Sequence, residues 1–397
     1  MKQPDEPRQR VRIPRDRAND YTPEIVETRR AFVREHTGTE LKHVASHSFE
    51  PAVVRGNIEN FIGVAQVPIG LAGPLRVQGE YAQGDFMVPL ATTEGTLVAS
   101  YNRGMRLICE CGGVKTTVVQ EAMQRAPVFI FGDAREARDF GAWLEEHLDA
   151  IREVARSTTR VGRLTDIQQF AAGPNRYLRF NFTTGDAAGQ NMTGKATMAA
   201  CEWIRTQYPA ASKYYLSGGM DTDKKHSHVN SLLTRGRRVI AEAVFRRDAL
   251  QRILGVAPEE LYAARQVFLT GGEMAGAAYV GAHAANGLAG LFIATGQDAA
   301  NVAESHAGYS HNRLLDNGDY YVSITLPSLI VGTYGGGTGL ATQRECLEML
   351  GCYGKDKVNK LAEICAGVVL AGDISLSGAV LHGDWVSSHD HYGRNRP

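Results

Sequence analysis

A chain of 397 residues with 43 Lys+Arg against 43 Asp+Glu carries no net formal charge, which argues against a binder of nucleic acid or of a membrane surface. The length suggests two or three domains, and a hydrophobic content of 43% is ordinary for a globular protein. No signal peptide or long apolar anchor stands out and the six cysteines lack zinc or redox spacing, so a cytoplasmic location, reduced thiols and no metal site are expected.

Residues 1 to about 20 are charged and contain proline, which predicts a loose arm. Thr22-Pro23 then opens a helix, with Thr as cap and Pro in the first turn, running to about Glu35. Residues 59–75 mix apolar residues with Gly and Pro and predict strand and turn, feeding a strand from Phe86 to Leu90. A helix opening near Thr92 carries Glu94, Ser100, Asn102 and Arg103. Residues 127–217 have the pattern of an inserted domain. A strand at Val128–Phe131 precedes a helix over 134–156, whose Phe140, Trp143, Leu144, Leu148, Ile151 and Val154 share one face. Strands near 161–170 and at Arg176–Phe182 flank a Gly173-Pro174-Asn175 turn, followed by a helix from Ala187 to Gln207 and a strand at Tyr214–Leu216. The order β-α-β-β-α-β is that of a ferredoxin-like split unit.

Beyond it come a strand at 239–245, a helix near 258–266 and then GGEMAGAAYVGAHAANGLAGLFIATGQD, Gly271 to Asp298. That stretch has no proline and is nearly all Gly, Ala and mid-sized apolar residues, which predicts one long central helix over 271–296 with other backbones pressed against it. GTYGGGTGL at 332–340 and helices near 341–350 and 357–372 complete the chain. The fold class is α+β: a large domain (51–126 and 218–397) around a long central helix, a small inserted domain (127–217), and an arm with a helical extension (1–50).

Four polar groups sit in Gly-rich or apolar settings: Glu94 in PLATTEGTLVAS, Lys224 with Lys225 in MDTDKKHSHVN, Asp298 after the central helix, and Ser388-His389 near the C-terminus. A buried acid or lysine must be paired or have a shifted pKa, and such complementary groups brought together would handle protons. Taken singly, Glu94 also reads as a first-turn helix acid, the Lys pair as a solvated face and His389 as a surface residue. TTGDAAGQN at 183–191 is a Gly turn before a helix, suited to a phosphate but without a GxGxxG pattern. Arg160 and Arg163 flank a strand start and suit either a phosphate or a basic surface.

These segments in this order, ENFIGVAQVPIGLAGPL, VPLATTEGTLVASYNRG, RFNFTTGDAAGQNM, MDTDKK, AHAAN with IATGQD, LPSLIVGTYGGGTGL and the terminal SH, resemble the 3-hydroxy-3-methylglutaryl-CoA (HMG-CoA) reductase family over about residues 55–390. The resemblance implies four-electron reduction of HMG-CoA to mevalonate and CoA with two NADPH. It implies that Lys224 stabilises the oxyanion, that Glu94 transfers a proton in the aldehyde step, that Asp298 lies between them and tunes both, and that His389, supported by Ser388, protonates the CoA thiolate. Arg125, Ser217, Asp223, Lys225 and Asn286 match substrate positions. Ser100, Asn102, Arg103 and Arg106 match CoA contacts, and Thr159, Arg160, Asp186, Gly189 and Asn191 match cofactor contacts.

One class of the family takes its lysine from an Asp-Lys-Lys motif, the other from a His-Asn-Lys on the central helix. Here the second position is Ala282 and no Lys lies between Lys225 and Lys355, so the chain resembles the first class, implying a homo-oligomer, at least a dimer and more readily a tetramer. The membrane anchor of that class's animal members is not found. His226-Ser227-His228 replaces the Pro-Ala-Ala that follows the motif, and Val267 stands where many members place a lysine toward the acyl carboxylate. The alternatives are NAD-dependent mevalonate oxidation and a catalytically silent CoA-ester binder. Arg160 suits a 2′-phosphate, and the four catalytic positions are retained.

Overall fold

Ten strands form one branched, hydrogen-bonded sheet in the computed structural model, which describes residues 11–279 and 281–383. A helix α1 (Pro23–Thr37) precedes the hairpin β1 (Ile69–Gly79) and β2 (Gln83–Ala91), then α2 (Leu97–Glu110) and β3 (Val114–Arg125). Next come β4 (Val128–Ile130), α3 (Ala134–Glu146), α4 (Leu148–Arg156), β5 (Arg163–Ala172), β6 (Asn175–Thr183), α5 (Gln190–Gln207) and β7 (Lys213–Tyr215). The chain continues through α6 (His228–Leu233), β8 (Gly236–Phe245), α7 (Arg247–Leu254), α8 (Pro258–Ala275), α9 (Ala284–Thr295) and α10 (Val302–Ser305). It closes with β9 (Tyr309–Leu314), β10 (Tyr320–Leu329), α11 (Ala341–Met349) and α12 (Val358–His382).

Strand β3 joins the two halves of the sheet. It runs parallel to β1 and antiparallel to β8, which pairs β10 and through it β9. Its last residues, Met123–Arg125, pair with Phe182–Phe180 of β6. Beyond β6 the pairings are all antiparallel, in the order β7-β4-β6-β5. The two largest of four apolar clusters among the described residues lie on the two halves of this sheet. The smaller gathers Phe129, Phe140, Leu178, Phe180 and Ile204 between these strands and α3–α5, and the larger packs α2, α9 and α12 on β1, β2, β8 and β10.

The central helix is not where the sequence predicts it. Residues 271–296 form no single helix. α8 ends at Gly276, whose φ of +68° is the left-handed C-terminal geometry that glycine favours, and α9 begins only at Ala284. Asp373 helps hold the break open, accepting the N–H groups of Ala282 and His283 at 3.0 and 2.8 Å. α8 buries only Pro258 and Leu261, whereas α12 is 25 residues long and buries most of its length from Val358 to Ala379. α12 is the central helix. By length and composition it could cross a membrane, but 78% of its most apolar window is buried inside the protein. The small-residue logic holds at Gly287 within 271–296 and at Gly104 and Gly372 outside it. Ala371 O leaves no room for a Cβ at Gly104, and Cβ atoms at Gly287 or Gly372 would each approach the buried Tyr101 ring to 2.5 Å.

Other boundaries shift. The helix expected over 134–156 is broken at His147, the helix near Thr92 starts at Leu97, and the one from Ala187 starts at Gln190. The described part of the arm is held down. Arg29, fully buried, donates to Pro14 O and Asp20 O at 3.0 Å each and pairs with the Asp20 carboxylate.

Candidate active site

The segment that follows β7 turns sharply. Gly219 has φ +90°, Thr222 +50° and Lys224 +57°, and Ser227 ends the turn by accepting from Asn230 N at 3.2 Å as the cap of α6. From this loop the Lys224 ammonium reaches Asp298 Oδ2 at 2.8 Å, with both side chains near half exposed (44% and 43%). The hydrogen bond that Lys224 donates to Asp298 is the main reason the Lys224 pKa is raised above its ordinary value. Asp298, two residues beyond the Gly296 that ends α9 at φ +70°, is fixed in turn: its Oδ1 accepts Ala300 N at 3.0 Å.

Gly296 also explains why the Gly-rich loops meet here. Gly337 O leaves no room for a Cβ at Gly296, so GTYGGGTG lies against the end of α9. Together with Gly189, Asn191 and Met192 at the start of α5, these residues line a cleft of about 590 Å³ with Asp298 in its wall. Gly189 takes φ +85°, with Thr184 where a Cβ would point. Thr159 Oγ1 accepts Gly162 N at 3.1 Å, and Gly162 lies against Met192, which sets the exposed Arg160 beside the start of α5. Asp186 does something the sequence did not suggest. Its carboxylate accepts Asp356 N (2.8 Å), Lys357 N (3.0 Å) and Val358 N (3.2 Å), capping α12.

Four of the matched substrate residues, Arg125, Ser217, Asp223 and Lys225, make polar contacts around the Lys224 loop. Arg125 Nη1 and Ser217 Oγ donate to the buried Asp221 at 3.0 and 3.1 Å. Lys225 Nζ donates to Asp223 O at 3.0 Å, and the Asp223 carboxylate takes Gln190 at 3.0 Å and Arg235 at 2.7 Å. Three residues of this network were not singled out from the sequence: Asp221, Arg235 and Glu304. Glu304 is 1% exposed, and its burial pushes its carboxyl up to about 7 against the pull of Arg235. The only sequence signal is an acid within ANVAESHAG, six residues past Asp298.

Glu94 lies elsewhere in the chain. Its carboxylate accepts from Asn286 at 3.3 Å, and Asn286 is in the first turn of α9, while Asp298 follows its last. The nine helical steps from Asn286 to Thr295 span about 14 Å, so a single chain holds the Glu94–Asn286 pair and the Lys224–Asp298 pair at opposite ends of α9. The matched CoA residues lie along α2. Ser100 and Arg103 meet Ser375 of α12 at 3.2 and 3.0 Å, Asn102 accepts from Gly73 N at 3.0 Å, and Arg106 pairs with Glu110 at 2.9 Å. Val267, 68% exposed, and Ala282 line one cleft of about 520 Å³ between α8 and α12. Ser388 and His389 lie outside the described residues.

Similarity to known proteins follows the same residues. The family model described as hydroxymethylglutaryl-coenzyme A reductase matches residues 25–394. A 3-hydroxy-3-methylglutaryl-coenzyme A reductase of Pyrococcus horikoshii is 44% identical over 377 residues, 93% of this chain and 91% of that protein. That of Methanocaldococcus jannaschii is 40% identical over 375 residues, 93% and 92% of the two chains. A solved structure of the class II 3-hydroxy-3-methylglutaryl-CoA reductase from Streptococcus pneumoniae bound to NADPH shares the fold, with a TM-score of 0.67 at 20% identity, covering 83% of this chain and 89% of that one. With the match reaching from α1 through the Lys224 loop, the Gly-rich cleft and α12, the chain belongs to the hydroxymethylglutaryl-coenzyme A reductase family.

Proposed function

We propose that the protein is a cytoplasmic NADPH-dependent oxidoreductase that reduces (S)-HMG-CoA to (R)-mevalonate and CoA, of the class whose lysine comes from Asp-Lys-Lys. The observation that carries the reading is the 2.8 Å Lys224–Asp298 pair, whose Asp298 stands in the wall of the Gly-rich cleft. The cleft suits a dinucleotide. The N-terminus of the 18-residue α5 offers backbone N–H groups to phosphate, the glycines admit close approach, and Arg160 provides a charge for a 2′-phosphate. When bound, NADPH supplies hydride. Lys224 holds the carbonyl oxygen as charge develops on it, and Asp298 keeps that ammonium protonated and aimed. Glu94 moves the proton to the carbonyl oxygen in the aldehyde step, with Asn286 orienting its carboxylate. By resemblance alone, His389, supported by Ser388, protonates the departing thiolate. Arg125, Ser217, Asp223 and Lys225 take the acyl portion, and Ser100, Asn102, Arg103 and Arg106 take CoA. Thr159, Asp186, Gly189 and Asn191 shape the cofactor side, Asp186 through the cap it places on α12.

The positions of Glu94 and Lys224 at opposite ends of α9 support a site completed by a second copy, so that an obligate dimer, and on the class resemblance a tetramer, is the active form. We assign 127–217 to the small cofactor domain, ferredoxin-like by its β7-β4-β6-β5 order, 51–126 with 218–397 to the large catalytic domain, and 1–50 to the N-terminal extension. Incubation of the pure protein with HMG-CoA and NADPH, followed by identification of mevalonate and free CoA, tests the reading. A folded protein that forms neither product refutes it.

A further inference from the structure

An acid that is 1% exposed stands directly behind the Lys224 loop, and nothing in the proposed chemistry requires it to touch substrate or cofactor. Glu304 lies on α10, in the segment that begins at Asp298. Fully buried acids are rare unless paired. Here the two carboxylate oxygens have different partners. Oε1 accepts the backbone N–H of Lys224, while Oε2 faces Arg235 Nε at 2.9 Å and accepts from Asn230 Nδ2 at 3.4 Å. Arg235 is fully buried and divides its charge between Glu304 and Asp223, which flanks Lys224 in the chain.

With Thr222, Lys224 is one of two non-glycine residues of this loop held at positive φ. Its φ of +57° is left-handed, a conformation that is unfavourable for a residue with a Cβ and persists only where the surroundings impose it. One short segment therefore grips Lys224 twice: Asp298 takes the ammonium and Glu304 takes the N–H.

We infer that Glu304 is a positioning residue for the reduction: by accepting the Lys224 N–H while anchored on Arg235, it holds the left-handed turn that aims the ammonium at Asp298 and the carbonyl oxygen. The inference rests on the reading of Lys224 as the oxyanion partner. A misplacement of about 1 Å at such a group costs on the order of 10²-fold in rate.

Glu304→Asp tests it, because the shorter side chain keeps its charge near Arg235 but draws back from the Lys224 N–H. The expected result is a fall in kcat of about 10²-fold with both HMG-CoA and free mevaldehyde, with the dissociation constant for NADPH unchanged and Tm close to that of the unmodified protein. A purely structural role predicts the reverse: lowered Tm with kcat retained. If Glu304→Asp does not fold, Glu304→Gln takes its place. It keeps the length but must turn its amide nitrogen toward either the Lys224 N–H or Arg235, and the same loss of kcat is expected. Retention of kcat within about threefold, far short of the loss expected from misplacement, overturns the inference if Lys224→Ala is inactive. If Lys224→Ala is active as well, the reading of Lys224 fails instead.

Discussion

Removal of the Lys224 ammonium is the most informative single change, and its cost follows from the geometry. A cation about 3 Å from a developing oxyanion gains about 1.4 kcal/mol at a dielectric near 80 and about 5.5 kcal/mol near 20. Lys224 is 44% exposed without substrate, so its environment falls between these limits. The range corresponds to a loss of about 10- to 10⁴-fold, and removal of one oxyanion partner commonly costs about 10²–10³-fold. The deletion also leaves Asp298 without its cation at 2.8 Å, setting a carboxylate against the charge that the reaction builds. Lys224→Ala should therefore lose at least about 10²-fold in kcat for HMG-CoA and equally for free mevaldehyde, since both reductions place negative charge on oxygen. Stability should change little, because the pair is half exposed. Steady-state NADPH oxidation on each substrate, with a thermal melt of the same sample, measures this. A folded Lys224→Ala protein turning over either substrate at near the unmodified rate refutes the assignment.

Arg160→Ala should erode a preference for NADPH over NADH by about 10-fold or more, as expected for loss of a charge-assisted phosphate contact of roughly 1.5–3 kcal/mol; equal kcat/KM for both cofactors in the unmodified protein contradicts this. Asp186→Ala should lower stability by about 1–2 kcal/mol, visible as a lower Tm, because three N–H groups at the start of α12 lose their acceptor; an unchanged Tm refutes the capping role. Mixing inactive Glu94→Gln and Lys224→Ala proteins under conditions of subunit exchange should restore up to about a quarter of the activity, since each hybrid dimer regains one intact shared site. No recovery places both groups in one chain's site.

The proposed site is read from the sequence through the family resemblance: Glu94 and Asp298 in Gly- and Ala-rich runs and Lys224 in MDTDKK each read singly as ordinary helix or surface residues, and only their order along the chain points to one site. The fold around them was less legible. GGEMAGAAYVGAHAAN reads as continuous helix because nothing local marks Gly276 as a stop, and the N–H groups of Ala282 and His283 are held by Asp373, nearly a hundred residues on. α12 reads as an ordinary helix because depth of burial leaves no periodic signature once every face is covered. Asp221, Arg235 and Glu304 were invisible for a related reason: a charged residue looks the same in sequence whether solvated or locked in a buried pair. The family resemblance places Asp186 among the cofactor contacts, and the structure gives its carboxylate to the start of α12.

The most direct measurement is the oxidation of NADPH by the purified protein in the presence of HMG-CoA, with NADH in parallel. The account predicts HMG-CoA-dependent loss of two NADPH for each mevalonate formed and a much slower rate with NADH. A folded, oligomeric protein that oxidises NADPH no faster with HMG-CoA than without it would contradict the account.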